Sequence, residues 1–394
     1  MNSHPIKTGL VKSLLLALLW HSGYFFQAAW PQEENNLPDY FTKIESGADL
    51  PQKIVQAANR FRKENSGDRF WVGYGFEPRE DIHFHDICIH DDGGISISRG
   101  GPGTVIREED DLKTHALHAL SQLGDEEATK KLSAQKREFI KSDCEDWGVF
   151  YLLESESLSV DRIKLIHFRS RKMFKEYPVF WLGEQETNGS FEYLAGIIQN
   201  KEYTERVIEP AIFVISLHDH PQTIGFLQKI AGGKQTAEIR KSAAFWLGQI
   251  PGDDSFAALA GLFKDEKNRD MKEQIIFAIS QHGSEKVTDQ LVKIANSDPD
   301  FEIRKKAIFW LGQMAGRKTL EALGDIAESD DETEIKTNAI FAISQHKDQE
   351  HAVELLMDIA RHNKNSEVRK KAMFWLGQTA DPRAVAFFKQ VLVE

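Results

Sequence analysis

The sequence predicts an all-α chain, an α-solenoid of about nine helical hairpins preceded by a small mixed α/β N-terminal segment, and three observations carry that reading. A phrase ending in FWLG or FAIS keeps returning, each copy is followed by a second apolar segment, and the copies alternate between two types. The shared phenylalanines, Phe180, Phe213, Phe245, Phe277, Phe309, Phe341 and Phe374, are spaced by 33, 32, 32, 32, 32 and 33 residues. A fixed period of that length is a solenoid signature, because each unit cannot bury its apolar face alone and neighbours must stack.

At the N-terminus, Lys7 and Lys12 precede the apolar run Leu14 to Trp20, so residues 1–29 read as a secretory signal peptide. The run is far short of the ~20 apolar residues that span a bilayer. A retained anchor and a buried N-terminal helix are the alternatives.

Residues 30–107 do not follow the repeat and read as a small α+β segment with a β-hairpin. LPQKIVQAANRFRKEN from Leu50 is an amphipathic helix with Ile54, Ala57, Ala58 and Phe61 on one face. RFWVGYGF, HFHDICIH and ISISRG are β-rich, and the DDGG at Asp91 to Gly94 is a hairpin turn between the last two.

His83, His85, Asp86, Cys88 and His90 are ligand-type residues in one short stretch. Side chains alternate along a strand, so His83 and His85 share a face while Cys88 and His90 point away with Ser96 and Ser98. Four ligands do not converge from one straight strand, and neither metal nor other cofactor is expected. Cys88 and Cys144 are candidates for one disulfide of an exported chain, the alternative being unpaired buried thiols. The GGPG at Gly100 to Gly103 lacks the lysine and hydroxyl residue of a phosphate loop and reads as a linker.

Residues 108–394 read as the solenoid. Counting from the first residue of each phrase, offsets 0, 4, 7 and 8 hold Ile303, Ala307, Trp310 and Leu311, within a stripe of ~100°. Offset 7 is Trp181, Trp246, Trp310 and Trp375 in one type and Val214, Ala278 and Ala342 in the other, so each Trp is expected to fill space left by the next unit's small residue. Offset 9 is Gly183, Gly248, Gly312 and Gly377 against Ser216, Ser280 and Ser344, a small residue expected to let the two helices of a hairpin approach. Pro178 and Pro210 fall inside two phrases and are expected to bend those helices.

His218, His282 and His346 recur at offset 11 of alternate units. Helices pack ~8–10 Å apart, so equivalent residues two units apart are too distant to share an ion. A turn-capping or solvent role is expected.

The clearest copy, VRKKAMFWLGQTADPRAVAFFKQVL from Val368 to Leu392, resembles the HEAT-like repeats of the phycobilisome-lyase type. The resemblance covers roughly residues 171–394 well and, through ALHALSQLGDEEATKKL and DWGVFYLLESES, residues 110–170 weakly. It implies a right-handed solenoid of HEAT-like hairpins. Some relatives attach bilins to phycobiliproteins, and others are di-iron hydroxylases whose repeats carry His-Glu pairs. This chain has no His-Glu dipeptide, and its leader argues against work on cytoplasmic light-harvesting proteins.

The chain departs from that family at offset 6, commonly charged there and phenylalanine here, ~150° from the centre of the core stripe. Two readings stand: the phenylalanines pack on one another, or Phe245, Phe277, Phe309 and Phe341, with Arg304 and Lys305 beside them, form a ridge for a partner or for self-association. The basic residues at offsets 1 and 2 read chiefly as a solvated face. With 49 basic and 61 acidic residues the net charge is −12, a poor basis for binding nucleic acid. The expectation is a non-enzymatic, exported protein-binding scaffold of the bacterial envelope, with an enzyme or a spacer led by its N-terminal segment as alternatives.

Overall fold

The computed structural model describes residues 38–44, 49–79, 87–89, 95–97, 147–167, 174, 177–329 and 331–393. The N-terminal elements are β1 (Phe41–Lys43), α1 (Leu50–Glu64), β2 (Arg69–Phe76), β3 (Ile87–Ile89), β4 (Ile95–Ile97), β5 (Trp147–Glu154), β6 (Val160–His167) and β7 (Val179–Gln185). A five-stranded mixed sheet has the order β1-β7-β2-β5-β6, parallel from β1 through β2 and antiparallel beyond.

Period-two alternation gives this sheet two apolar faces. Phe70, Val72, Tyr74 and Phe76 of β2 join Val149, Tyr151 and Leu153 of β5 and Phe180 and Leu182 of β7 in one cluster, against Leu50, Ile54, Ala57, Ala58 and Phe61 of α1. The helix face expected from its sequence is the buried one, and Asp49 caps it by accepting the Gln52 amide at 2.9 Å. On the other face Trp71, Phe150, Leu152, Val179 and Trp181 gather with Phe41 and Phe174, and the Trp71 indole donates to the Phe174 carbonyl at 3.0 Å. The expected hairpin pairs β3 with β4 antiparallel, Cys88 opposite Ser96. The side chain of Cys88, and all of residues 1–29, His83, His85, Asp86, His90, Gly100 to Gly103 and Cys144, lie outside the described residues.

Two stretches read as repeat units are sheet instead. WGVFYLLE forms β5, and the first FWLG copy forms β7, a strand paired on both edges. FWLG is apolar on either period, so its letters suit a strand buried on both faces as well as a helix. Pro178 disfavours helix in the residue before it, Tyr177, and ends up before the strand, where it bends no helix. Gly183, aligned with the helix glycines by sequence, has φ 71° near the strand's end. The sheet therefore continues to Gln185, well beyond residue 107.

Thirteen consecutive helices follow. They are α2 (Thr187–Gln199), α3 (Glu205–Ser216), α4 (Thr223–Ala231), α5 (Ala237–Gln249), α6 (Asp253–Asp265), α7 (Arg269–Gln281) and α8 (Val287–Ser297). Then come α9 (Phe301–Gln313), α10 (Arg317–Ser329), α11 (Thr333–Ser344), α12 (Gln349–His362), α13 (Ser366–Gln378) and α14 (Pro382–Val393). From α3 onward these pair as six hairpins, a leading helix carrying the phrase and a trailing helix after it; α2 is the trailing helix of the unit whose leading element is β7. Thr236, Asn268, Asp300 and Asn365 cap leading helices by accepting first-turn amides. Pro210 sits inside α3, midway along it.

The core of the sheet's first face continues without a break through α2 and α3 into the hairpins. Among the described residues no helix is long and apolar enough to cross a membrane.

Candidate functional site

Leading helices pack side by side, and their joints alternate in kind. At α5/α7 and α9/α11 a glycine meets an alanine: a Cβ at Gly248 would lie 2.8 Å from the Ala278 carbonyl oxygen, and one at Gly312 2.8 Å from the Ala342 Cβ. At α3/α5, α7/α9 and α11/α13 a tryptophan packs on the preceding unit's phenylalanine, Phe213–Trp246, Phe277–Trp310 and Phe341–Trp375, with ring centroids 4.4, 5.0 and 5.1 Å apart. Two expectations are corrected by this. Offset 7 faces backward, so each helical Trp lies on the previous unit's ring, and the glycines admit a neighbouring leading helix, not the hairpin's own partner. Which neighbour an offset faces is set by the stacking of units, on which the intra-unit pattern is silent.

The phenylalanine row does both things that were open to it. Phe213 is 3% exposed, Phe245 and Phe277 are half-buried and stack on each other at 5.9 Å, while Phe309, Phe341 and Phe374 are 43%, 37% and 53% exposed. Packing and ridge are thus successive parts of one row, the ridge belonging to its C-terminal half. Between Phe309 and Phe341, rings with no mutual contact among the described residues, lies a groove of about 310 Å³ floored by Ile308 and Ala342 and edged by Glu302, Lys305, Lys306, Asn338 and Gln345. Trp310 and Trp375 beneath the ridge each bury an indole N–H that has no acceptor among the described residues.

The basic residues are less solvated than their spacing suggests. Arg240, Arg304 and Arg369 donate to the carbonyls of Ala231, Ala295 and Asn363 at 2.8, 2.7 and 2.7 Å, satisfying the C-terminal end of the preceding trailing helix. Arg240 also pairs with Glu266, and Arg304 with Glu332. Lys305 bridges Glu302 and Glu334 at 3.3 and 3.2 Å, and Lys306 meets Glu273 at 2.8 Å. Of the predicted binding residues, then, Phe309, Phe341 and Lys305 share the groove, Phe245 and Phe277 lie farther along the row, and Arg304 is a clamp between units.

The recurring histidines are buried and form joints. His282 Nδ1 accepts the Ser284 amide and His346 Nδ1 the Asp348 amide, so in each the Nε2–H donates, to Ser255 Oγ at 3.0 Å and Thr319 Oγ1 at 2.9 Å. Those hydroxyls in turn donate to the carbonyls of Ile250 and Gly316. The turn-capping expectation holds for these two; exposure to solvent holds for none.

His218 carries the opposite tautomer. Its Nδ1–H donates to the Val214 carbonyl at 2.9 Å, so Nε2 accepts from Ser190, which accepts from Tyr74, which accepts from Tyr151, each step 2.7 Å. Phe76 stacks on the imidazole at 4.3 Å. Burial pushes the histidine down to about 4 and the Tyr74 phenol up to about 12. A Ser–His contact invites a nucleophile reading, but the same contact recurs at each alternate unit and all four side chains are sealed in the core. Sequence reasoning missed this chain of hydroxyls, for which only the recurrence of Ser190, Ser255 and Thr319 ahead of the histidines was a signal.

Fold and face together define a helical-repeat scaffold capped at its N-terminal end by a mixed sheet. The family model of HEAT repeats matches residues 265–344, 288–372 and 320–394, so the C-terminal third of the chain consists of HEAT repeats, as the resemblance implied. Among solved structures, human deoxyhypusine hydroxylase is 16% identical over 52% of this chain and 90% of its own, with a TM-score of 0.28. The CpcE–CpcF phycocyanin lyase of Nostoc is 18% identical over 41% of this chain and 100% of its own, with a TM-score of 0.29. No curated protein sequence matches the chain.

Proposed function

We propose that this protein is a non-catalytic scaffold that holds another protein on the leading-helix face of its C-terminal repeats, and that it works in the cell envelope. The observation that carries the reading is the run of Phe309, Phe341 and Phe374, three large apolar side chains more than a third exposed on one face. A row of exposed large apolar side chains on a surface otherwise rich in ion pairs marks an interaction site. The envelope location rests on the leader-like residues 1–29 alone.

The test is cross-linked capture from the native envelope fraction by the full chain and by its Phe309→Glu and Phe374→Glu variants. A partner recovered with the wild type and lost with both variants, at unchanged melting temperature, is the expected result. Equal recovery by all three removes the ridge from the binding surface.

A further inference from the structure

The three tryptophan joints carry a charge pattern that changes along the solenoid. At α7/α9, Lys306 at offset 3 pairs with Glu273 at offset 2 of the preceding unit, 2.8 Å apart across the joint. At α3/α5 the equivalent positions are Glu209 and Ser242, a carboxylate without its lysine. At α11/α13 they are Thr337 and Lys371, a lysine without its carboxylate. Among the described residues no carboxylate reaches Lys371. Its ammonium instead lies 5.5 and 5.9 Å from the rings of Phe374 and Trp375, while neighbouring Lys370 takes Glu367 at 2.9 Å. The odd cation therefore sits beside exposed Phe374 and over Trp375, the ring on which Phe341 packs at 5.1 Å, and Phe341 is also a wall of the groove between α9 and α11.

We propose that the surface formed by Phe309, Phe341, Phe374 and Lys371 takes a peptide segment of its partner that carries a carboxylate beside a large apolar side chain. This rests on the scaffold reading above and specifies the chemistry of its ligand. The apolar side chain enters the groove between Phe309 and Phe341, whose about 310 Å³ is at the small end of the ~300–1,000 Å³ range of ligand pockets and suits a side chain better than a cofactor. The carboxylate completes across the last joint the ion pair that Glu273 and Lys306 make within the chain. Desolvation by the flanking rings strengthens that contact relative to one in open water.

The experiment selects binders to the full chain from a display library of random short peptides, then measures the enriched peptides by fluorescence anisotropy on wild type, Thr337→Glu and Lys371→Gln. Thr337→Glu places at α11 the residue α7 already has, so it supplies Lys371 with an internal partner without disturbing the fold. Enrichment of Asp or Glu beside a large apolar residue, with affinity falling about fivefold on either variant, the upper end for a partly exposed ion pair, is the expected result. Enriched peptides without a carboxylate, unchanged affinity for Thr337→Glu, or no enrichment on the wild type each overturns the proposal. Because the ridge variants are read by cross-linked capture, a partner lost with Phe309→Glu but kept with Thr337→Glu would leave the scaffold reading standing and this inference refuted.

Discussion

A single residue type in a single register takes on two jobs along this chain, and the gradient can be measured. Phe213 lies in the core at 3% exposure, so Phe213→Ala should cost about 3–5 kcal/mol, as for a core phenylalanine. Phe374, 53% exposed, should tolerate Phe374→Glu within about 0.5 kcal/mol, a surface value. Urea denaturation midpoints decide, and equal costs at both ends would refute a graded row. His218 makes a second residue-scale prediction. Its folded pKa is pushed from 6.5 down to about 4 by burial, so between those values the unfolded chain binds a proton that the folded chain refuses. Stability is therefore complete above about pH 6.5 and falls as the pH drops toward 4, by up to ~3 kcal/mol from this group. Folding free energies measured across that window should slope in wild type and slope less in His218→Gln.

At the scale of the element, what matters is how closely two leading helices approach. Gly312 leaves its neighbour no room, since an added Cβ meets the Ala342 Cβ at 2.8 Å, whereas the equivalent Gly377 has only the Phe388 Cζ, at 4.0 Å. Gly312→Ala should destabilise by ~1–3 kcal/mol through overpacking, while Gly377→Ala should be neutral or gain up to ~1 kcal/mol from lower unfolded-state entropy. Thermal melts of opposite sign for one substitution at two aligned positions would establish the tight joint. Equal shifts would show that helix propensity alone is at work. The alternation of glycine joints with tryptophan joints also explains why the true repeat is a pair of hairpins: each unit presents its offset 7 backward, large in one type and small in the next.

For the whole molecule, the sheet is not a separate appendage. Its first face, α1 and the hairpins share one buried core, and the hydroxyl chain from Tyr151 through Tyr74 and Ser190 to His218 crosses the junction. Tyr74→Phe would leave Ser190 and Tyr151 short of a partner inside that core, at about 1–3 kcal/mol. If the junction couples the two parts, amide exchange in β2, β5, α2 and α3 should accelerate together. Acceleration confined to the strands would show the sheet opening by itself.

The sequence by itself determined the solenoid, the helical hairpin as its unit, the two-unit alternation and the buried face of α1, because helical periodicity and apolar spacing are local properties repeated many times over. It also placed the phenylalanines off the core stripe, which made a ridge a matter for test. Only tertiary structure decided that the first FWLG is a strand, since four apolar letters satisfy either period and pairing with β1 and β2 settles the choice. Tertiary structure likewise turned Arg304 from a surface charge into a clamp on the Ala295 carbonyl, and left Phe309 exposed while Phe277 is half-buried, because burial depends on what the neighbouring units bring against a side chain.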